Sequence, residues 1–217
     1  MTYNILGGRA RAELAEVVRA VAPDVLLANE SPKTPLLWRW RCNQLSADWG
    51  LGYVAGGRPA GRNLLVASTR VRVRHTTARR VPQPLFKPRR GIVSAQLEVG
   101  DATFGFVGVH LSLLPESRRR EVELVIETAD ALTGPVVVAG DLNERPAGPS
   151  WRRLRRAGFV DPGRDRDLTF PSRAPEKRID ALLVRGAQLR AHQVPDVDPA
   201  LLTAASDHLP VTGVLVL

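Results

Sequence analysis

Apolar positions along this chain of 217 residues switch between two periods. Within Arg9–Val21 they fall at Leu14, Val17, Val18 and Val21, the spacing of one helical face. Glu116–Leu132 repeats that spacing at Val122, Val125, Ile126 and Ala129 and predicts a second helix. Pro35–Ala47, which carries Leu37, Trp38 and Leu45, predicts a third. A short fourth helix is expected from Trp151 to Ala157, capped by Ser150 and ended by Gly158. Short apolar runs predict strands at Thr2–Leu6, Val25–Ala28, Gly52–Ala55, Asn63–Ser68 and Val71–His75. Further runs do so at Ile92–Val99, Thr103–Leu111, Val136–Ala139, Ile179–Val184 and Val211–Leu217. Arg79–Arg90, with Pro82, Pro84 and Pro88, and Arg164–Arg178 read as loops. Strand and helix signals mix, and several strands follow one another mid-chain. That pattern favours an α/β (α+β) fold of two packed sheets flanked by helices over a purely parallel sheet.

The length fits a single domain over residues 1–217 with a substantial core. The net charge of +9 favours polyanionic partners: nucleic acid, phosphorylated metabolites or an anionic membrane. Lysine occurs only at Lys33, Lys87 and Lys177, so the excess is arginine, and in a chain rich in Ala, Gly, Pro and Val a GC-rich coding sequence accounts for part of it. The single cysteine, Cys42, excludes an intrachain disulfide and a multi-cysteine metal site, and reads as a half-buried structural thiol. Thr2–Leu6 reads as a strand followed by polar Gly7-Gly8-Arg9 rather than as a signal peptide, and no apolar run approaches a membrane span. A cytoplasmic monomer is the expectation. Gly7-Gly8 and Gly56-Gly57 lack the spacing of a phosphate-binding or dinucleotide-binding loop.

The chemistry concentrates where apolar runs end. Val136–Ala139 leads through Gly140 into Asp141-Leu142-Asn143, and residues two apart on an extended segment face the same way. Ser206-Asp207-His208-Leu209-Pro210 precedes the last predicted strand. Asn4, Glu30, His110 and Asp180 occupy other strand margins. Singly, such residues are turn formers, and His75 and His192 are read as structural histidines. Together they suggest a hydrolytic site. Among the arginine clusters, Arg70, Arg72 and Arg74 would share one sheet face, while Arg89, Arg90 and Arg178 are the best placed for a cleft. Trp38, Trp40 and Trp49 read as core.

The motifs Thr2-Tyr3-Asn4-Ile5, Asp24–Glu30, Val109-His110-Leu111, Gly140-Asp141-Leu142-Asn143, Arg178-Ile179-Asp180 and Ser206-Asp207-His208-Leu209-Pro210 stand in an order that resembles the metal-dependent endonuclease/exonuclease/phosphatase superfamily. The resemblance runs from Thr2 to about Val214. It implies a four-layer α/β/β/α sandwich like that of deoxyribonuclease I and hydrolysis of a phosphate ester by in-line attack of water. Glu30, with Asn4 and Asp207, would hold Mg²⁺ or Mn²⁺. Asp141 would orient or deprotonate the water, and Asn143 would donate to a phosphoryl oxygen. His208, oriented by Asp180, would contact phosphate or transfer a proton. His110 would bind phosphate or assist the leaving group, and Arg90 and Arg178 would contact substrate phosphate. Family members usually carry Gln where this chain has Asn29, and the exonuclease III-type repair enzymes carry Tyr where it has His110. The short chain implies trimmed loops around the cleft, where specificity resides. The leading expectation is a nuclease acting on nucleic acid. The alternative is a phosphatase or phosphodiesterase acting on a small-molecule, inositol or lipid phosphate, and the third is a catalytically silent nucleic-acid-binding protein.

Overall fold

The computed structural model describes residues 1–83 and 85–217; Pro84, part of the predicted Arg79–Arg90 loop, lies outside the described residues. The apolar runs assemble into two mixed sheets. Strands β1 (Thr2–Asn4), β2 (Val25–Asn29), β3 (Gly52–Gly57) and β4 (Asn63–Ala67) form the first, in the order β1-β2-β4-β3. Strands β5 (Arg72–Val81), β6 (Arg90–Val99), β7 (Ala102–His110), β8 (Val136–Asp141) and β9 (Asp180–Arg185) form the second, in sequence order. The antiparallel pair β10 (Gln188–Gln193) and β11 (Thr212–Val216) joins the first sheet through a bridge between Thr2 and Val211.

Strand alternation sorts the side chains into three apolar clusters. Leu27, Leu65, Val93, Leu97, Phe106 and Val137 fill the space between the sheets. Their sequence neighbours Leu26, Ala28, Leu64 and Val66 point the other way, to meet residues of α1 (Arg11–Val21), α2 (Trp38–Asp48) and the short α5 (Pro199–Ala205). On the far side Ile92, Val107 and Val109 meet Val122, Val125 and Trp151 from α3 (Pro115–Asp130) and α4 (Pro149–Arg156). Each fully buried leucine of this kind contributes about 1.5–3 kcal/mol by leaving water. The layers are therefore helix, sheet, sheet, helix. No helix among the described residues is long and apolar enough to cross a membrane.

Several details differ from the sequence reading. Strand β5 continues through Val81, paired with Arg90, because backbone pairing to β6 outweighs a largely exposed and cationic side-chain pattern. Arg70 precedes β5, and a register shift between Val73 and His75 breaks the expected alternation with Arg72 and Arg74. Strand β10 and α5 were not expected. Helix α4 begins at Pro149 after Gly148, so Ser150 is inside it rather than its cap, and the Glu144 carboxylate accepts from the Ser150 N–H at 2.6 Å. Its end is as expected: the Gly158 N–H and the Phe159 N–H bond back to the carbonyls of Arg155 and Leu154. Cys42 is fully buried rather than half-buried, Trp49 is buried, Trp38 is half-buried and Trp40 is exposed.

Strand directions set up the site. β1 runs parallel to β2, β7 runs parallel to β8, and β9 runs antiparallel to β8. The carboxyl ends of β1, β2, β7 and β8 and the amino end of β9 therefore meet on one edge of the sandwich.

Candidate active site

Asn4, Glu30, His110, Asp141 and Asp180 are the residues at, or just beyond, those five strand ends. Asp141 is the point of convergence. Its Oδ2 lies 3.3 Å from Asn4 Nδ2, 3.3 Å from His110 Nε2 and 3.8 Å from His208 Nε2. Its Oδ1 accepts from the Asn143 backbone N–H at 2.8 Å. Gly140 makes this approach possible: a Cβ there would lie 1.8 Å from the Val109 carbonyl oxygen. Behind His208, the Nδ1–H donates to Asp180 Oδ2 at 2.8 Å, and the other Asp180 oxygen is buried without a partner. The Phe170 ring packs on the imidazole, with centroids 4.7 Å apart.

Burial and charge set the protonation of this group. Burial raises the Asp141 carboxyl above its ordinary range and nearby Asp180 raises it further, against the opposing pull of His208. Burial alone would lower His208, but the charge and hydrogen bond of Asp180, with Asp141 and Asp207 beyond, push it up to about 9. His110 goes the other way. Burial first, then the cations Arg90, His208 and Arg62, hold it well below its ordinary value, so it is a neutral imidazole. One edge thus holds a charged and a neutral histidine on either side of one carboxylate.

Glu30 stands at the cleft margin, partly exposed, with a positive φ of 59°. Asn4 Nδ2 lies 3.5 Å from its Oε1. Arg62 holds it from behind: Nη2 donates to the Glu30 carbonyl at 3.0 Å, Nε donates to the Ser31 carbonyl at 2.8 Å, and Nη1 is 3.7 Å from Oε2. Arg90 is buried, with Nε lacking a partner; burial lowers its guanidinium while Asp141, Glu121 and Glu30 attract the charge. Asp207 is half-buried beside His208, its Oδ1 3.5 Å from Ser206 Oγ. Asn143, at a positive φ of 48°, spends one amide N–H on the Leu111 carbonyl at 2.8 Å. Arg178 is not presented in the same way. Both of its terminal nitrogens bond Asp161, at 3.0 and 2.7 Å, and its guanidinium lies over Trp151.

Asp141, Asp180 and His208 bring one ligand atom each to within 4.8 Å of one another, and they form a buried metal-competent cluster. The Asp180–His208 hydrogen bond already accounts for much of that closeness. The Glu30 carboxylate fits a hard cation better, and Asp207 offers a second, half-buried carboxylate beside His208. Asn4, expected as a further oxygen donor, turns its Nδ2 toward Glu30 and Asp141, while its Oδ1 accepts from the Leu6 N–H at 3.2 Å.

Three supporting residues were given no role in the sequence reading, although Asn29 and Ser206 lie within its motifs. Asn29 Oδ1 accepts from the Asp141 backbone N–H at 3.0 Å, while its Nδ2 donates to Asn63 Oδ1 at 2.8 Å and to the Val109 carbonyl at 3.0 Å. This amide ties β2 of one sheet to β7 and β8 of the other. Its one sequence signal was the replacement of the usual glutamine. Ser206 Oγ donates to the Asn4 carbonyl at 2.5 Å, closing the first strand on the last motif. Arg62 lies in an apolar-flanked turn with no motif around it.

A family model for the Endonuclease/Exonuclease/phosphatase family matches residues 1–208. No curated protein sequence matches the chain. Among solved structures, the chain is similar to an endonuclease/exonuclease/phosphatase from Bacteroides vulgatus, with TM-score 0.82 and 18% identity over 100% of this chain and 97% of that one. It is similar to the mannosyl-6-phosphatase of Bacteroides thetaiotaomicron, with TM-score 0.80 and 18% identity over 100% and 98%. It is also similar to D. rerio TDP2 complexed with a single-strand DNA product, with TM-score 0.70 and 15% identity over 96% and 94%. At these identities the likeness establishes the fold, the four-layer sandwich expected from the motifs. The family match covers far more than half of the sequence, and on that ground the chain belongs to the endonuclease/exonuclease/phosphatase family of phosphoesterase hydrolases.

Proposed function

We propose that the protein is a metal-dependent phosphodiesterase and that the whole of residues 1–217 serves as one catalytic unit. The observation that carries this reading is the convergence of Asn4, His110 and His208 on the single carboxylate of Asp141. Asp141 orients the attacking water and accepts its proton. His208, with Nδ1 committed to Asp180, keeps Nε2 as a charged donor toward a phosphoryl oxygen. His110 offers a neutral imidazole to the phosphate or the leaving oxygen. Arg90 supplies a buried positive charge at the base of the cleft, and Asn143 holds the Asp141 loop while its remaining amide proton is free for phosphate. Glu30 and Asp207, with Asn4 once its amide is turned to present Oδ1, would hold Mg²⁺ or Mn²⁺, which would neutralise phosphoryl charge and acidify bound water.

The nucleic-acid reading keeps support from the net charge of +9 and from the likeness to D. rerio TDP2 with its DNA product. Some of the surface arginines, however, are held by carboxylates. Arg11 pairs with Asp48, Arg70 with Asp24, Arg72 and Arg74 with Glu98, Arg153 with Glu123, and Arg185 with Asp130. The test is hydrolysis of bis-p-nitrophenyl phosphate and nicking of plasmid DNA with Mg²⁺ or Mn²⁺, with and without EDTA, beside the Asp141→Ala variant. Turnover should disappear with EDTA and in the variant; turnover that survives both would reject the reading.

A further inference from the structure

The large apolar side chains that this protein leaves in water are not scattered. Leu36 is 94% exposed, Leu85 85% and Phe86 fully so; Leu37, Trp40, Leu113 and Leu114 are also exposed. Apart from Leu217, these seven include every exposed leucine, phenylalanine and tryptophan among the described residues; the other exposed large apolar side chains are valines. All seven lie on the edge that carries the active site. Leu36, Leu37 and Trp40 follow Glu30, on the loop into α2 and its first turn. Leu113 and Leu114 follow His110, on the loop into α3. Leu85 and Phe86 lie between β5 and β6, just before Arg90.

These tips stand on a braced base. Gln83 Nε2 and Ser112 Oγ both donate to the buried Glu121 carboxylate, each at 2.6 Å, which fastens the Leu85–Phe86 loop to the Leu113–Leu114 loop. Arg62 fastens the third loop through the Ser31 carbonyl. Cations interleave with the apolar tips: Lys33, Arg41, Lys87 and Arg89 are exposed, and none takes part in an ion pair among the described residues. Residues 31–41 and 82–90 contain no Asp or Glu.

We propose that this rim is a docking surface for an anionic lipid layer, and that the phosphoester brought to the site is the headgroup ester of an amphiphile held in that layer. The second clause rests on the phosphodiesterase reading above. A single-stranded nucleic acid would call for aromatic platforms on which bases stack, yet five of the seven tips are leucines, which offer bases nothing. Leucine, phenylalanine and tryptophan among lysines and arginines is the chemistry that enters the boundary between headgroups and acyl chains. Apolar tips on three loops, interleaved with exposed cations beside the candidate cleft, fit that use.

The experiment is co-sedimentation of the full chain with vesicles of phosphatidylcholine alone and of equimolar phosphatidylcholine and phosphatidylserine. It is run for the wild type and for the double variant Leu85→Asp/Phe86→Asp, with a fluorescent single-stranded oligonucleotide as a separate probe. The wild type should sediment with the anionic vesicles, and the variant's bound fraction should fall about tenfold or more. Turnover of soluble bis-p-nitrophenyl phosphate should be the same in both, while a long-chain nitrophenyl phosphodiester embedded in anionic vesicles should be hydrolysed faster by the wild type. A wild type that stays in the supernatant, a variant that sediments equally well, or a variant that loses the oligonucleotide instead of the vesicles would overturn the docking surface. Vesicle binding by a wild type that cleaves no phosphodiester would leave the surface standing and remove the phosphodiesterase reading.

Discussion

The same strands end in two very different environments. At their carboxyl ends β1, β2, β7 and β8 deliver Asn4, Glu30, His110 and Asp141 to the active edge. At their amino ends they deliver Met1, Val25, Phe104 and Val137 to an apolar cleft of about 560 Å³, closed on its other side by Leu182, Leu189 and Leu215. An apolar hollow of that size thus opens at the end with little chemistry. At the opposite end the polar side chains of Asn4, His110 and His208 gather within 3.3–3.8 Å of the Asp141 carboxylate. Volume marks where the fold leaves apolar surface uncovered, whereas convergence of ionisable groups marks where chemistry is prepared.

The sharpest break between the two ends should come from Asp141→Ala, which removes a buried charge from the active edge. Turnover of a soluble phosphodiester should drop about 10²–10⁴-fold, the scale of a lost acid–base group, with the melting transition still cooperative. At the opposite end, Phe106→Ala enlarges a space that already exists and should cost about 3–5 kcal/mol in urea unfolding. Activity per folded molecule should persist there; if it fell as it does in the first variant, the two ends would not be separable. Asn29→Ala lies between the two regimes. It strands the Asp141 N–H and the Val109 carbonyl, and should reduce stability by about 1–3 kcal/mol while also lowering turnover. A smaller effect of opposite sign is expected from Ala22→Gly beside the apolar cleft. Ala22 closes α1 at a φ of 47°, and glycine should raise stability by about 1 kcal/mol on thermal unfolding. The smallest effect concerns Cys42, whose thiol is pushed by burial up to about 11 against a weaker pull from Ser31. A thiol reagent at about pH 8 should leave it unlabelled until urea unfolds the chain.

Elements with a clear apolar period were legible before the structure: α1, α3, β2, β4, β7 and β8 fall within a few residues of their expected bounds. Those that escaped lack such a period. Strand β10 reads Gln-Leu-Arg-Ala-His-Gln, mostly exposed, and exists because β11 supplies its backbone partners. Helix α5 has only seven residues and takes its stability from packing against α1 through Leu202 and Ala205. The polar constellation was legible because each member sits where an apolar run stops. The fate of Arg178 was not, because Asp161, which engages it, lies in a segment without periodicity, and only the folded chain brings the two together. The same holds for Glu144 taking the place of Ser150 at the start of α4.

The Asn29 amide also carries a mechanical consequence. The backbone of Asp141, proposed above as the base, hangs from a residue of the opposite sheet, so any shear along the seam between the sheets moves it directly. Catalytic rate should then report slippage of that seam under pressure, mild denaturant or heat before any spectroscopic sign of unfolding. A variant that stiffens the seam should widen the working range without touching a single group in the cleft.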